Sequence, residues 1–444
     1  MKDVLKFLKE KGAQVSESYR ERIEEWRGWY RGDVKNFHEF AVFNGQKRVN
    51  HRRLTLGMPK KAAEDWANLL LNEKVSITTD SKKFNETLGA TLRANKFWSR
   101  GNQLIEKAFA LGTGALVEWK DASDNVVIDY VEADMVFPVT VENGEITECA
   151  FASEVTLAGR PLHYIQIHRK GKVENFLVDK KGKEVALPAN LLAEYTTTAR
   201  QFQIIKPNIV NNVDFREPLG ISVFANALDA AKGCDVIFDS MINDFQIGRS
   251  RILVPQKFAQ IQQVADGTKR PIFDKDDTVF YVYEASNDQA KMEFVQPQIR
   301  ADMHVSGINR VLALFSDKCG LGNDRYRYDG QGLQTATAVI SEKSELYQNV
   351  QKHQIPLREV LVGMVEAIAS LSGGKFKEVS VTFDDSIIED KLARKAQFIQ
   401  EINAGIREAW EYRVEFLGED EKTARMNAGQ IREKDIEDEQ EPGA

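Results

Sequence analysis

Cysteine is scarce: three residues in 444, Cys149, Cys234 and Cys319, lie far apart and form no Cys-x-x-Cys pair. That spacing argues against a disulfide framework or a thiolate zinc site and suits a reducing compartment. Basic excess is also lacking, since 60 Lys+Arg stand against 67 Asp+Glu for a net charge of -7. A chain that grips nucleic acid over a broad basic face is therefore not expected, although a local basic patch is compatible with these numbers. No run nears the ~18 apolar residues that a membrane span needs. The opening Met1-Lys-Asp-Val-Leu-Lys-Phe7 carries charges through what would be an apolar core, so no signal peptide is expected there. What is present, 42% hydrophobic and 29% charged residues, is ordinary for a folded soluble chain. The length exceeds what one core organises, so two or more domains are expected.

Motifs for common chemistries are missing too. Every Gly-Lys pair (at Gly171, Gly182 and Gly374) is followed by the wrong residue for a Walker A loop. Leu111-Gly-Thr-Gly-Ala115 follows a helical pattern and precedes a strand pattern, the reverse of a pyrophosphate-binding turn, and reads as a tight helix-to-strand connection. The six histidines (His38, His51, His163, His168, His304, His353) are scattered, and His163 and His168 face opposite sides of one strand. No Gly-x-Ser-x-Gly elbow occurs. Asp384-Asp385 and Glu389-Asp390 could hold a divalent cation for a nuclease, but acids after a strand are more often solvated turns or helix caps. No catalytic residue, metal or cofactor is expected.

The patterning predicts an α+β chain. Ser18 with Glu21 suggests a capping box opening a helix with Tyr19, Ile23, Trp26 and Tyr30 on one face. Pro59 suits the start of a helix carrying Ala63, Trp66, Ala67 and Leu70, and two further stripes follow at Phe84/Leu88/Leu92 and Leu104/Ile105/Ala108/Phe109. From about residue 115 the period becomes alternating. Strands are expected at 115–119, 126–131, 135–141, 145–155, 163–168 and 173–178, with Asn143-Gly144 among the turns, as one antiparallel meander. Helix returns for about thirty residues from Pro218, with Ile221, Phe224, Leu228, Ala231, Phe238, Ile242 and Phe245 as its stripe. Strand-like segments at 251–255, 278–284 and 291–296 precede a helix over 299–315. A Gly-rich segment over 316–332 leads to a long helix over 334–371, with a kink expected before Pro356. A strand at 379–383, polar helices and an acidic tail finish the chain.

Several segments in this order resemble portal (head–tail connector) proteins of tailed double-stranded DNA bacteriophages, in the siphophage-type branch. They include Trp29-Tyr30-x-Gly32, Lys60-Lys-Ala-Ala-Glu-Asp-Trp-Ala-Asn-Leu-Leu-Leu-Asn-Glu73 and Ala108-Phe-Ala-Leu-Gly-Thr-Gly-Ala-Leu-Val117. Gly220-Ile-Ser-Val-Phe-Ala-Asn-Ala-Leu228, Asn243-Asp-Phe-Gln-Ile-Gly-Arg249, Thr335-Ala-Thr-Ala-Val339 and Phe383-Asp-Asp-Ser-Ile-Ile-Glu-Asp390 continue the series. Asp244 departs from the glutamate expected there but keeps the charge. The resemblance implies an α/β wing (1–218) containing the meander, stem helices at 219–250 and 298–316, and a small α/β clip at 251–297 between them. It further implies a channel loop and long wing helix over 317–383 and a helical crown with the acidic tail over 384–444. It implies a ring, most often of twelve subunits, at one capsid vertex, with duplex DNA passing through without sequence specificity. Terminase, a head–tail adaptor, capsid and scaffolding proteins would be the partners.

Site expectations follow from that frame. Lys318, Arg325 and Arg327 of the Gly-rich loop would touch phosphates, with Tyr326 and Tyr328 lying against sugar or base edges. Asp235, Asp239 and Asp244 would line the channel, and Phe280, Tyr281 and Tyr283 would pair with a neighbouring subunit's clip, since so small a sheet is marginal alone. An acidic balance suits a conduit, because a basic bore would stall a moving duplex, but surface acids that merely aid solubility explain it equally well. The rival readings are another structural virion protein, coat or scaffold, and a metal-dependent phage nuclease using Asp384, Asp385 and Asp390.

Overall fold

Amphipathic helices open the chain in the computed structural model. It describes residues 2–43, 45–72, 74–121, 123–157, 159–188, 191–248, 250–255, 260–263, 269–272, 280–283, 291–323, 325–327, 336–383 and 391–427. These residues fall into two units that divide between Thr382 and Phe383.

Helices α1 (Lys2–Glu10) and α2 (Glu17–Arg31) come first. The α2 cap is Ser16, whose Oγ accepts from Tyr19 N–H, two residues before the expected Ser18 box; Tyr19, Ile23, Trp26 and Trp29 form its buried face. A hairpin of β1 (Glu39–Phe43) and β2 (Arg48–Arg52) leads to α3 (Met58–Leu70), which carries Pro59 in its first turn. Strand β3 (Ser76–Thr79), α4 (Lys82–Ala94) and α5 (Phe97–Leu111) follow, with the predicted stripes of both helices buried.

The strand run splits between two sheets instead of forming one meander. Strands β4 (Gly114–Lys120) and β5 (Val126–Glu132) pair, and a 3-10 turn at Ala133–Met135 ends that sheet. Then β6 (Val136–Glu142), β7 (Glu145–Leu157), β8 (Arg160–Arg169), β9 (Lys172–Val178) and β10 (Glu184–Val185) run antiparallel in order, with β11 (Glu194–Thr196) also on β9. At the β6–β7 turn both Asn143 and Gly144 have positive φ, the geometry a type I′ turn demands. Strand β12 (Phe202–Ile205) returns to pair with β4, giving the order β12-β4-β5. Helix α1 packs Val4, Phe7 and Leu8 on the larger sheet against Phe137, Ala150, Ile165 and Ile167.

Helix α6 (Leu228–Ile247) begins ten residues after Pro218, because Ile221, Val223 and Phe224 are drawn into the core as irregular chain and a 3-10 turn at Ala225–Ala227 intervenes. Strands β13 (Arg251–Pro255), β14 (Gln260–Gln263), β15 (Lys269–Ile272), β16 (Phe280–Tyr283) and β17 (Glu293–Val295) form the insert, followed by α7 (Ala301–Lys318). Helix α8 (Ala336–Ser372) continues through Pro356, and β18 (Val379–Thr382) pairs with β3. Trp66 of α3, fully buried, gathers the elements: its ring lies 4.6 Å from His353 of α8 and 6.0 Å from Phe109 of α5, and its Nε1–H donates to the Cys319 carbonyl at 2.9 Å.

The second unit holds α9 (Lys391–Asn403), α10 (Ala409–Leu417) and α11 (Glu421–Asn427). Phe398, Tyr412 and Phe416 form its aromatic centre with centroids 4.8–6.0 Å apart, and Glu408 with Glu411 makes a capping box for α10.

Candidate functional site: the α6–α7 hairpin, its insert and its loop

Helices α6 and α7 run antiparallel, and glycines set their spacing. Gly307 lies against Ile237, and a methyl on Gly233 would sit 2.9 Å from Val311 Cγ1, so the helices meet where side chains are smallest. At the inner end the pair is closed by Ala231, Cys234, Ile308, Leu312 and Phe315, all buried. Farther out the packing opens. Met303 is 75% exposed and Phe245 52%, with Ile247 and Val305 also exposed. Of the predicted stripe on α6, Phe238 and Ile242 are half-buried and Phe245 is exposed.

At that outer end Asp244 ties the helices together. Arg300 donates to both carboxylate oxygens at 2.9 Å, and His304 Nε2 lies 3.0 Å from Oδ2. The Arg300 guanidinium, and then His304, hold the Asp244 carboxyl far below its ordinary value of 3.8. A carboxyl depressed in the folded chain contributes stability above its unfolded value and loses it as pH falls through the folded one. Below about pH 4 the outer end should loosen in the wild type, whereas Asp244→Asn, lacking the titrating group, should show a flatter acid arm in melting curves between pH 2 and 5.

The three expected channel acids have different placements. Asp235 is buried, 2% exposed, and accepts from Leu56 N–H at 2.7 Å and Thr55 Oγ1 at 3.2 Å, with His38 Nε2 at 3.0 Å. Because His38 Nδ1 accepts from Val34 N–H, the ring proton sits on Nε2 and is donated to Asp235. One turn on, Asp239 accepts from Leu54 N–H at 2.9 Å. Asp235 is thus corrected from a channel-lining acid to an internal anchor: its carboxylate is enclosed and its lone pairs are taken by the chain entering α3. Asp244 is also largely covered by its Arg300 and His304 pairing.

The Gly-rich loop begins three residues later than expected, and its described residues are tethered. Helix α7 runs on through Lys318, whose Nζ reaches the Asn226 carbonyl at 3.4 Å, and Gly320 (φ +76°) turns the chain out. Tyr326 donates to Asp65 of α3 at 2.9 Å, and Arg325 approaches the same oxygen at 3.5 Å. Burial would raise Asp65, but hydrogen bonds from Lys61 and Tyr326 and the Arg325 charge outweigh it and leave the carboxyl below its usual value. Burial, reinforced by Asp65, pushes the Tyr326 phenol well above its ordinary value. Tyr326 is consequently corrected from a free stacking group to a structural tie. Arg327 is exposed; Tyr328 lies outside the described residues, as do Asp384, Asp385 and Asp390.

In the insert, β16 pairs in parallel with β13 of its own chain, Phe280 opposite Ile252 and Tyr283 opposite Pro255, while β17 pairs antiparallel on the other side. One edge of the segment holding Phe280, Tyr281 and Tyr283 is therefore satisfied within the chain, and Tyr281, half exposed, lies near Arg251. Strand β16 borders the sheet in the order β16-β13-β17.

Sequence reading missed His38, Asp65 and Glu118. Asp65 and Glu118 carried a signal, each being an acid inside an apolar pattern; isolated His38 carried none. Among the described residues no group of three or more His, Cys, Asp or Glu converges as a metal site would require, and no helix is long and apolar enough to cross a membrane.

A chain of helices and mostly antiparallel sheets is consistent with the α+β fold of the phage portal proteins. Within them it belongs to the family described as "Phage portal protein, SPP1 Gp6-like", whose model matches residues 12–433. Portal proteins are structural components of the virion, its head–tail connectors, and this chain has that function. Among solved structures, it is similar to one described as "Neck of native GTA particle computed with C12 symmetry", at 12% identity and a TM-score of 0.43 over 81% of this chain and 89% of that chain. No curated protein sequence matches.

Proposed function

We propose that copies of this portal protein close into a ring, with twelve as the expected number, at one capsid vertex of a siphophage-type particle. Duplex DNA passes through its bore, driven by a separate terminase. The β13–β17 insert is the clip on which terminase and then the head–tail adaptor dock. Capsid and scaffolding proteins meet the wing, and the unit beyond Phe383 forms the crown. Lys318, Arg325 and Arg327 are the basic points offered to phosphate, Arg325 from beside Asp65 and Lys318 from beside the Asn226 carbonyl.

One observation carries the ring: the outer half of the α6–α7 hairpin exposes Phe245, Ile247, Met303 and Val305. Apolar side chains on a rigid pair of helices favour burial against a like surface, and a head-to-tail arrangement that closes covers them in every copy. Introducing a charge there places it in each interface at once. Met303→Asp and Phe245→Asp should each shift native mass spectra from a high oligomer to single chains while leaving the far-UV circular dichroism unchanged. A wild-type protein that stays monomeric across a range of salt would sink the ring itself.

A further inference from the structure

Glu118 is an acid buried inside a strand, with no cation in contact with it. It sits in the middle of β4, fully enclosed, with neither carboxyl oxygen in good hydrogen-bond geometry, although its own backbone N–H and the Gln203 amide come near enough to act on it. The β12–β4 register places Gln203 opposite Leu116, on the same face of the sheet as Glu118. The Gln203 amide fills the notch left by Gly363 of α8, where any Cβ would collide with it. Arg200 bridges inside and outside: Nη1 donates to exposed Glu145 at 2.7 Å and Nη2 reaches Gln203 Oε1 at 3.4 Å. A carboxylate cannot stay ionised and unpaired in such a place without large cost.

The elements around it add little further charge. On β5, Tyr130 feels the Glu118 charge and donates its own hydroxyl to the Asn95 carbonyl, while Asp129 is occupied with Trp119 Nε1. On α5, Arg100 lies over the Tyr130 ring, Glu106 is engaged by Tyr30 and Lys107 by Glu132. The Arg358, Glu359 and Glu366 positions of α8 are exposed. Arg200 is the cation that acts on Glu118.

We propose that Glu118 is a proton latch for α8: protonated, it sits neutral beside Gln203 and lets the helix lie on the sheet. When the proton leaves to solvent, the carboxylate draws Arg200 away from Glu145 and pulls Gln203 out of the Gly363 notch. The seat of α8 then loosens. Burial pushes Glu118 up to about 8, against the opposing pull of its own backbone N–H, then of Arg200 and Gln203. The sign follows: a carboxyl raised above its ordinary 4.5 holds its proton in the folded chain after the unfolded chain has lost it. The seat is therefore tight at low pH, weakens as pH climbs from 4.5, and is open above about 8. The latch stands independently of ring closure.

Hydrogen–deuterium exchange over residues 357–370, corrected for intrinsic rates at each pH, tests it. Wild type should lose protection with a midpoint near pH 8, and Glu118→Gln should show no transition and roughly tenfold or greater protection above pH 9. Arg200→Gln should move the midpoint up by roughly one unit, and Glu145→Gln, which frees Arg200, should move it down. Parallel loss of protection in wild type and Glu118→Gln would overturn the latch, as would a midpoint unmoved by both partner variants. Infrared spectra give a check that does not depend on α8. A protonated-carboxyl band at pH 6.5 should be lost in Glu118→Gln, and its absence from the wild type would equally refute the proposal.

Discussion

Gly112→Ala should be among the most damaging single methyl additions in this protein. Gly112 ends α5 in the left-handed region, φ +87°, where a side chain costs roughly 1–2 kcal/mol. The new Cβ would also fall on the Gly220 carbonyl, with the carbonyl carbons of Gly220 and Ile221 both at 2.9 Å. Backbone cannot rotate aside as a side-chain tip can, and the Gly220 segment is fixed on several sides. Its N–H donates to Thr113 Oγ1 at 3.1 Å, its carbonyl accepts from Tyr19, and Val223 N–H donates to the Phe109 carbonyl at 2.8 Å. Adding overpacking to strain gives a loss of roughly 2–5 kcal/mol in urea unfolding. Gly144→Ala is the control, since φ is +80° there but the space is open. It should cost only about 1 kcal/mol. Equal losses at the two positions would mean that the α5–Gly220 contact is not tight.

The second large effect is expected at Asp235. Asp235→Ala leaves the Leu56 N–H and the His38 Nε2–H without an acceptor in a closed site, a loss of roughly 3–5 kcal/mol. Asp235→Asn keeps an acceptor for Leu56 but sets its own N–H₂ against the His38 donor, which cannot change tautomer while Nδ1 accepts from Val34. Roughly 2–3 kcal/mol should go. In a double-mutant cycle with His38→Ala the combined loss should fall well short of the sum, because one pairing is being removed twice. A bore acid would behave otherwise: its neutralisation would leave the denaturation midpoint in place.

These two sites mark where sequence reading succeeds and where it stops. Local periodicity was enough for the helices bearing Trp66, Phe84 and Leu104, and for the strands through Val178, because apolar spacing of 3.6 or 2 reports which face meets a core. The Leu111-Gly-Thr-Gly run was legible as a turn, but its partner Gly220, over a hundred residues away, was not. Helix α6 was placed too early because Ile221 and Phe224 fit a helical stripe while serving as core-filling irregular chain. The family was legible from ordered segments across the whole chain. Individual site residues were less so, since His38–Asp235 and Asp65–Tyr326 join positions about 200 and 260 residues apart, and no local pattern announces such a pairing.

The pairing of β3 with β18, Val379 opposite Thr79 and Thr382 opposite Ser76, sets a schedule for the chain's birth. A ribosome adding roughly 5–20 residues each second delivers Ser76 some 15–60 s before the strand that will cover it. During that interval the nascent chain presents an unpaired edge and an unfilled place for α8, while locally joined elements, such as α1 with the β6–β10 sheet, can already settle. Such distant pairing slows collapse to the final topology and favours encounters between unfinished chains. Production at low temperature or with chaperones should consequently raise the soluble yield more than any surface substitution, and a chain stopped before residue 379 should not complete the first unit at all.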